Sequence, residues 1–302
     1  MLTQAARRRE WSLALSLAAD SSMCLAYAVV AIGSGSLPML AETLRGGILA
    51  ALGWLILAMM RRLHRRQLHA YDYGTGKLEQ FSNFLVGGLL LLGAAWVALR
   101  SLAAYAAGPP SPDPSLHGWM VAAQVLAAMN VAVNALAFIA LWRAGRDGTS
   151  LLMRGQVQAR AGKLATSLLV CAAVAVAAAW PGTRGAWIAN LAGGLVVVVV
   201  MAGIGIAMLR QTLPDLLDRA LEEDLQRTIN ATLSAHFDAY DTLEHVRSRQ
   251  SGQDVHIEIT LGFDADRNFG EVATAARRME QELEARIPGA EVTVVPVDPA
   301  AG

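Results

Sequence analysis

Apolar residues fill the first two thirds of the chain in blocks near 11–32, 38–60, 80–107, 117–142, 156–180 and 186–209, with short polar stretches between them. A helix needs ~20 apolar residues to cross a hydrocarbon layer ~30 Å thick, so each block predicts one membrane-crossing helix. The pattern changes at Gln211–Asp218, and the rest of the chain has the rhythm of a small two-layer domain. A charged helix over 219–236 leads to strands over 243–249 and 254–263, a helix over 269–286 and a strand over 290–297. Val255, Ile257, Ile259 and Leu261 alternate with polar residues, as a half-buried strand requires. The expected fold class is an α-helical membrane protein with six transmembrane helices, plus a C-terminal cytoplasmic α+β ferredoxin-like (αββαβ) domain, divided into residues 1–210 and 211–302.

Composition agrees with a bilayer as solvent: 54% of residues are hydrophobic and only 17% charged, and mean hydropathy is +0.39. The formal charge is zero, yet arginines gather in the first two thirds and carboxylates from Asp215 onward. Arg7–Arg9, Arg61, Arg62, Arg65, Arg66, Lys77, Arg143, Arg146 and Arg154 fall on one side of the predicted spans, against Arg184 and Arg100 on the other. The positive-inside rule then predicts a multi-pass inner (cytoplasmic) membrane protein with both termini cytoplasmic. No small-residue cleavage site follows Arg7–Arg9, so the first apolar block reads as a helix rather than a signal peptide. The two cysteines, Cys24 and Cys171, lie in separate apolar runs and predict neither a disulfide framework nor a zinc site. The chain has no P-loop, GxSxG, HExxH or dinucleotide fingerprint, and its arginines follow membrane topology, so neither an enzyme nor a nucleic-acid partner is expected, and no cofactor.

Against that apolar background a few residues stand out. Asp20 lies in the first span, Glu42 and Arg45 in the second and Lys163 in the fifth. Charge at such depth costs several kcal/mol unless it is paired. Two carboxylates and two cations cancel, and Glu42 and Arg45 share a helical face at i, i+3. The expectation is that side-chain cations hold the bundle closed by ion pairs; the competing reading is a proton or substrate relay through Asp20 and Glu42. Asn130 and Asn134 form an i, i+4 amide pair in the fourth span, suited to interhelical hydrogen bonds or to a substrate contact. Gly46–Gly47, Gly87–Gly88 and Gly193–Gly194 predict close helix approach.

Four segments give the chain a family likeness: Gly35-Ser-Leu-Pro-Met-Leu-Ala-Glu42, Tyr73-Gly-Thr-Gly-Lys-Leu-Glu79, Leu216-Leu-Asp-Arg-Ala-Leu221 and Arg247-Ser-Arg-Gln-Ser-Gly252. In this order, on a six-span chain with an αββαβ tail, they resemble the cation diffusion facilitators, proton-coupled exporters of zinc and other divalent metals. The resemblance implies a homodimer, a four-helix bundle that carries the metal, and a tail domain like small metallochaperones. It also implies a tetrahedral site built from an i, i+4 ligand pair on the second span and another on the fifth, which fall here on Arg45 and Leu49 and on Ala159 and Lys163. None of these four can hold zinc.

Other metal positions implied by the resemblance are also replaced. The loop motif reads Tyr71-Asp-Tyr-Gly-Thr75, with His69 and Asp72 nearby, and the tail positions read Glu244, Thr260, Pro296 and Asp298, with His245 and His256 close in sequence. Asn190 stands where the family often has an acid. Lys77 and Asp218 match positions of a charge interlock across the family dimer; apart from the resemblance, Lys77 is a positive-inside residue and Asp218 an acid at a helix N-terminus. The function expected is a cation diffusion facilitator-like transporter, divalent cation efflux coupled to protons, with a degenerate site. The alternatives are a transport-silent scaffold or regulatory subunit of an active relative, and a membrane sensor whose tail binds a ligand.

Overall fold

The computed structural model describes residues 4–64, 76–111, 113–145, 151–251 and 254–298. The chain divides into two compact units, residues 1–67 with 85–208 and residues 68–84 with 209–302.

Six long helices run α1 Gln4–Ser34, α2 Leu37–His64, α3 Gly76–Ala107, α4 His117–Gly145, α5 Leu151–Ala179 and α6 Arg184–Leu216. Among the described residues these six are long and apolar enough to cross a membrane, as the hydropathy blocks predict. Leu25, Val29, Ile32, Leu92, Leu99 and Val199 point outward, where hydrocarbon rather than water would surround them. Inside the first unit, Tyr27, Met39, Leu90, Val97, Val170, Val197 and Met201 form a buried core. α4 lies along α5, α1 along α2, and further contacts join α1 to α4 and α2 to α5. α1 turns into α2 at Gly35, whose φ of 63° suits a residue without Cβ. The first N–H of α2 is not left bare: Leu37 N donates to Asn190 Oδ1 of α6 at 3.0 Å.

Two glycine expectations separate on inspection. A Cβ on Gly193 would stand 2.6 Å from both Ala173 and Pro38, whereas Gly46 and Gly88 face open space. The close approach at Gly87 involves a partner that the sequence did not mark, since a Cβ on Gly205 would meet the carbonyl oxygen of Gly87 at 2.8 Å, and backbone cannot rotate away.

The second unit contains α7 Glu223–Ala235, β1 Thr242–Ser251, β2 Asp254–Gly262, α8 Phe269–Arg286 and β3 Ala290–Val297. β2 is central, antiparallel to β1 and parallel to β3. This is the αββαβ order read from the sequence. Val255, Ile257, Ile259 and Leu261 are all buried against Met279 and Leu283 of α8 and Ile229 and Leu233 of α7. α8 starts at Asn268, whose Oδ1 accepts from Gly270 N at 2.9 Å, and buries Val272, Ala276, Met279 and Leu283 on one face. Its carboxylates also serve the sheet, because Glu280 Oε1 accepts from Val294 N at 2.9 Å along the open edge of β3.

The start of α7 differs from the expectation. Helix α7 begins at Glu223, not at 219, because Asp218 adopts a left-handed conformation with φ 52° after α6 and Leu221 is drawn into the core of the unit. Arg219 N then donates to Pro214 O at 3.0 Å, closing the end of α6.

The Gly205 contact gives a stability prediction. Gly205→Ala overpacks against backbone and is expected to cost about 1–3 kcal/mol, whereas Gly203→Ala on the same helix, with nothing within 4 Å of its Cβ, should be neutral or slightly stabilising. Thermal unfolding of the two purified variants checks the contrast.

Candidate functional site

Helical spacing gathers the polar residues of the membrane unit. On α1, Asp20, Cys24 and Tyr27 are spaced i, i+4, i+7 and share one face; on α2, Glu42, Arg45, Gly46 and Leu49 do the same. Asn130 comes from near the middle of α4 and Lys163 from near the middle of α5. These faces converge on a cavity of about 220 Å³ lined by Asp20, Cys24, Tyr27, Glu42, Arg45, Leu49, Asn130 and Lys163. All four ionisable residues singled out in the spans therefore meet in one place. So do three of the four positions at which the resemblance would set metal ligands, Arg45, Leu49 and Lys163.

The dominant interaction is within α2. Arg45 Nε donates to Glu42 Oε2 at 3.0 Å and Arg45 Nη2 donates to Glu42 Oε1. Glu42 is 9% exposed and Arg45 6%, so the guanidinium fork and the carboxylate satisfy one another out of water. Breaking such a pair strands a buried charge, which costs about 3–5 kcal/mol.

Lys163 and Asp20 are placed differently. Among the described residues neither is within 4 Å of an opposite charge, although the ammonium interacts electrostatically with Arg45, Asp20, Arg160 and Glu42. Asn134 does not line the cavity; it supports it. Its Nδ2 donates to Asn130 Oδ1 at 3.0 Å and to Ser167 Oγ at 2.9 Å, and Ser167 Oγ donates to Lys163 O at 3.0 Å. The amide pair is thus an interhelical bond between α4 and α5 that positions Asn130 beside the lysine.

Cys24, Tyr27 and Ser167 were not singled out from sequence. The signal was present in spacing, because Cys24 and Tyr27 continue the face of Asp20. Cys24 Sγ donates to Thr43 O at 3.4 Å and Tyr27 Oη to Leu126 O at 3.2 Å, which ties α1 to α2 and α4.

No group of three or more histidine, cysteine, aspartate or glutamate side chains able to hold a metal is found among the described residues. His69, Asp72 and the motif residues Tyr73–Thr75 lie outside them. In the C-terminal unit His245 Nε2 is 3.1 Å from Thr260 Oγ1, while His256 Nδ1 is 3.1 Å from Glu291 on the neighbouring strand. The two histidines serve separate partners.

Lys77 and Asp218 do meet, within one chain: Lys77 Nζ lies 2.8 Å from Asp218 Oδ1 and 2.9 Å from Oδ2. A second link follows one turn along α3, where Gln80 Nε2 donates to Asp215 Oδ2 at 2.8 Å. Asp218 closes the C-terminal end of α6 and does not sit at a helix N-terminus.

Comparison with known proteins covers almost the whole chain. A family model described as the cation efflux transmembrane domain matches residues 13–217, and one described as the cytoplasmic domain of cation efflux proteins matches residues 221–299. The magnetosome protein MamB of Magnetospirillum gryphiswaldense is 22% identical over 283 residues, 93% of this chain and 91% of that protein. MamB of Magnetospira sp. is 24% identical over 266 residues, 86% of this chain and 84% of its own length. Among solved structures, the zinc form of CzrB aligns with 28% of this chain and 97% of its own at 19% identity, with a TM-score of 0.26, a value at which likeness of fold is not established.

The ion pair sets a stability test. Glu42→Gln leaves Arg45 buried without its counter-charge and is expected to destabilise by about 3–5 kcal/mol, whereas the double variant Glu42→Leu, Arg45→Leu removes both charges and should recover most of that loss. Thermal unfolding in detergent of parent, single and double variants reads the difference.

Proposed function

This chain belongs to the cation efflux (cation diffusion facilitator) family, and we propose that it is a membrane transporter of that family whose central cavity is neutralised by its own side chains and does not hold a divalent metal. The observation that carries this reading is the closed Glu42–Arg45 pair. A doubly charged ion seeking the Glu42 carboxylate must first displace the guanidinium. At ~4 Å and an effective dielectric of 20, the released arginine would then oppose it by about 8 kcal/mol, twice the unit-charge value. Lys163 on the same cavity adds repulsion of the same sign.

The transport path of this reading runs along Asp20, Glu42, Arg45 and Lys163, with Asn130 and Asn134 fixing the α4–α5 wall. Proton coupling belongs to the same proposal, since the cavity holds groups that exchange protons. The clustering of basic residues on one side of the spans supports an inner-membrane location with both termini in the cytoplasm. The match of residues 221–299 to the family's cytoplasmic domain supports a homodimer, and in this reading the Lys77–Asp218 pair, closed within each protomer, is the charge interlock that fixes the surface meeting the partner. A second reading, a transport-silent subunit that pairs with an active relative, is favoured by the same closed ion pair and differs in predicting no ion flux of any kind.

Zinc flux into proteoliposomes separates these from ordinary divalent export. The purified parent is expected to give no uptake above protein-free vesicles, while Arg45→Leu with Lys163→Leu, which leaves two carboxylates unopposed, should gain zinc binding. Robust uptake by the parent that Glu42→Gln abolishes would overturn the reading. For the interlock, Lys77→Asp places like charges together and is expected to lower the melting temperature of the dimer; an unchanged melting temperature and dimer fraction would remove Lys77 from that role.

A further inference from the structure

We propose, building on the reading of a cavity closed to divalent metals, that this cavity exchanges one proton for one monovalent alkali cation, with the Lys163 ammonium as proton carrier and the Asp20 carboxylate as the seat of the cation. The argument begins with the four charges that line it: Asp20 and Glu42 against Arg45 and Lys163, which sum to zero. Arg45 is fixed, because a guanidinium does not release its proton in a protein and its fork is occupied by Glu42. Lys163 is therefore the cation of this cavity that can be switched off.

The surroundings of the ammonium favour the exchange. Among the described residues no carboxylate lies within ion-pair distance of it, and the charges it meets are Arg45 and Arg160, which oppose it, and Asp20 and Glu42, which attract it. From α1 the cavity receives Asp20, Cys24 and Tyr27, and from α2 it receives Glu42 and Arg45. The neighbouring helix α4 contributes only the neutral amide of Asn130, backed by Asn134. When Nζ gives its proton to water on one side, the cavity carries a single net negative charge. A cavity between membrane spans with one uncompensated charge is balanced by one positive charge and overcharged by two. The balance then selects a monovalent ion.

The donors suit a hard alkali ion. Among the described residues Asp20 is exposed and has neither a hydrogen bond nor an ion pair that would hold its carboxylate away from a guest, and Asn130 lines the same cavity. A volume of about 220 Å³ leaves room for several waters at ~30 Å³ each, so the ion enters partly hydrated. In the return step the ion leaves and Lys163 takes a proton from the other side. One proton moves against one cation, and the cycle is electrically neutral.

Proteoliposomes of the full-length protein, loaded with a pH-sensitive dye and given an imposed pH gradient, test this directly. Sodium, potassium or lithium chloride is expected to collapse the gradient faster than choline chloride, at a rate that clamping the membrane potential does not change. Lys163→Gln and Asp20→Asn should fall to the choline rate. Lys163→Arg keeps the positive charge and so any structural role, but it cannot release its proton and should fall to the choline rate as well. Alkali cations no faster than choline with the parent, or Lys163→Arg exchanging at the parental rate, would overturn the proposal. A zinc arm keeps the two readings apart: collapse of the gradient by zinc refutes the divalent-closed cavity, while silence to zinc and to alkali ions alike refutes only the exchange.

Discussion

The buried fork between Arg45 and Glu42 constrains everything around it. It holds a carboxylate and a guanidinium inside a membrane bundle at almost no exposure, where either alone would be intolerable. With both satisfied, the face of α2 that carries them can stand against α1 without a metal to neutralise it. In the proposed reading the cavity beside it is not a failed metal site with missing ligands. It is a compartment whose charge is already balanced, and its chemistry follows from which of those charges can move.

Support for that compartment is distributed over the bundle. Asn134 and Ser167 brace α4 on α5, Cys24 and Tyr27 tie α1 to α2 and α4, and Asn190 holds the first turn of α2 from α6. Each is a polar group that would be costly in lipid and is made useful by a partner on another helix or at a helix end. In the C-terminal unit the same economy recurs in a watery setting. Glu280 serves the open edge of β3, and Asp218 accepts a left-handed backbone in order to end α6 and meet Lys77.

Much of this could be read in the sequence because the bilayer leaves few choices. Long apolar blocks must be helices, and a charge within one is costly, so Asp20, Glu42, Arg45 and Lys163 announce themselves before any coordinate is known; the expectation that ion pairs would join the helices fails, since among the described residues the one pair these four form lies within α2. The i, i+3 spacing of Glu42 and Arg45 even indicates their pairing. Beyond the membrane, the alternation through Val255–Leu261 marks β2. Less was legible where tertiary context decides. Residues 219–222 have helical composition, yet the burial of Leu221 and the turn at Asp218 pull them out of α7. Gly46 and Gly88 look like packing glycines and face open space, while Gly205, with no glycine beside it, makes the contact that tolerates no side chain. Cys24 and Tyr27 continue the face of Asp20 in the sequence, but it takes the convergence of four helices to show them as walls of the cavity.

The central claim is that side-chain cations occupy the space in which a metal would sit. Anomalous diffraction at the zinc absorption edge, from crystals of the protein soaked in zinc, measures this most directly. The account predicts no anomalous peak between α2 and α5, with continuous density joining Arg45 to Glu42. A peak there, bonded to protein atoms of α2 and α5 with Arg45 swung away, would contradict it.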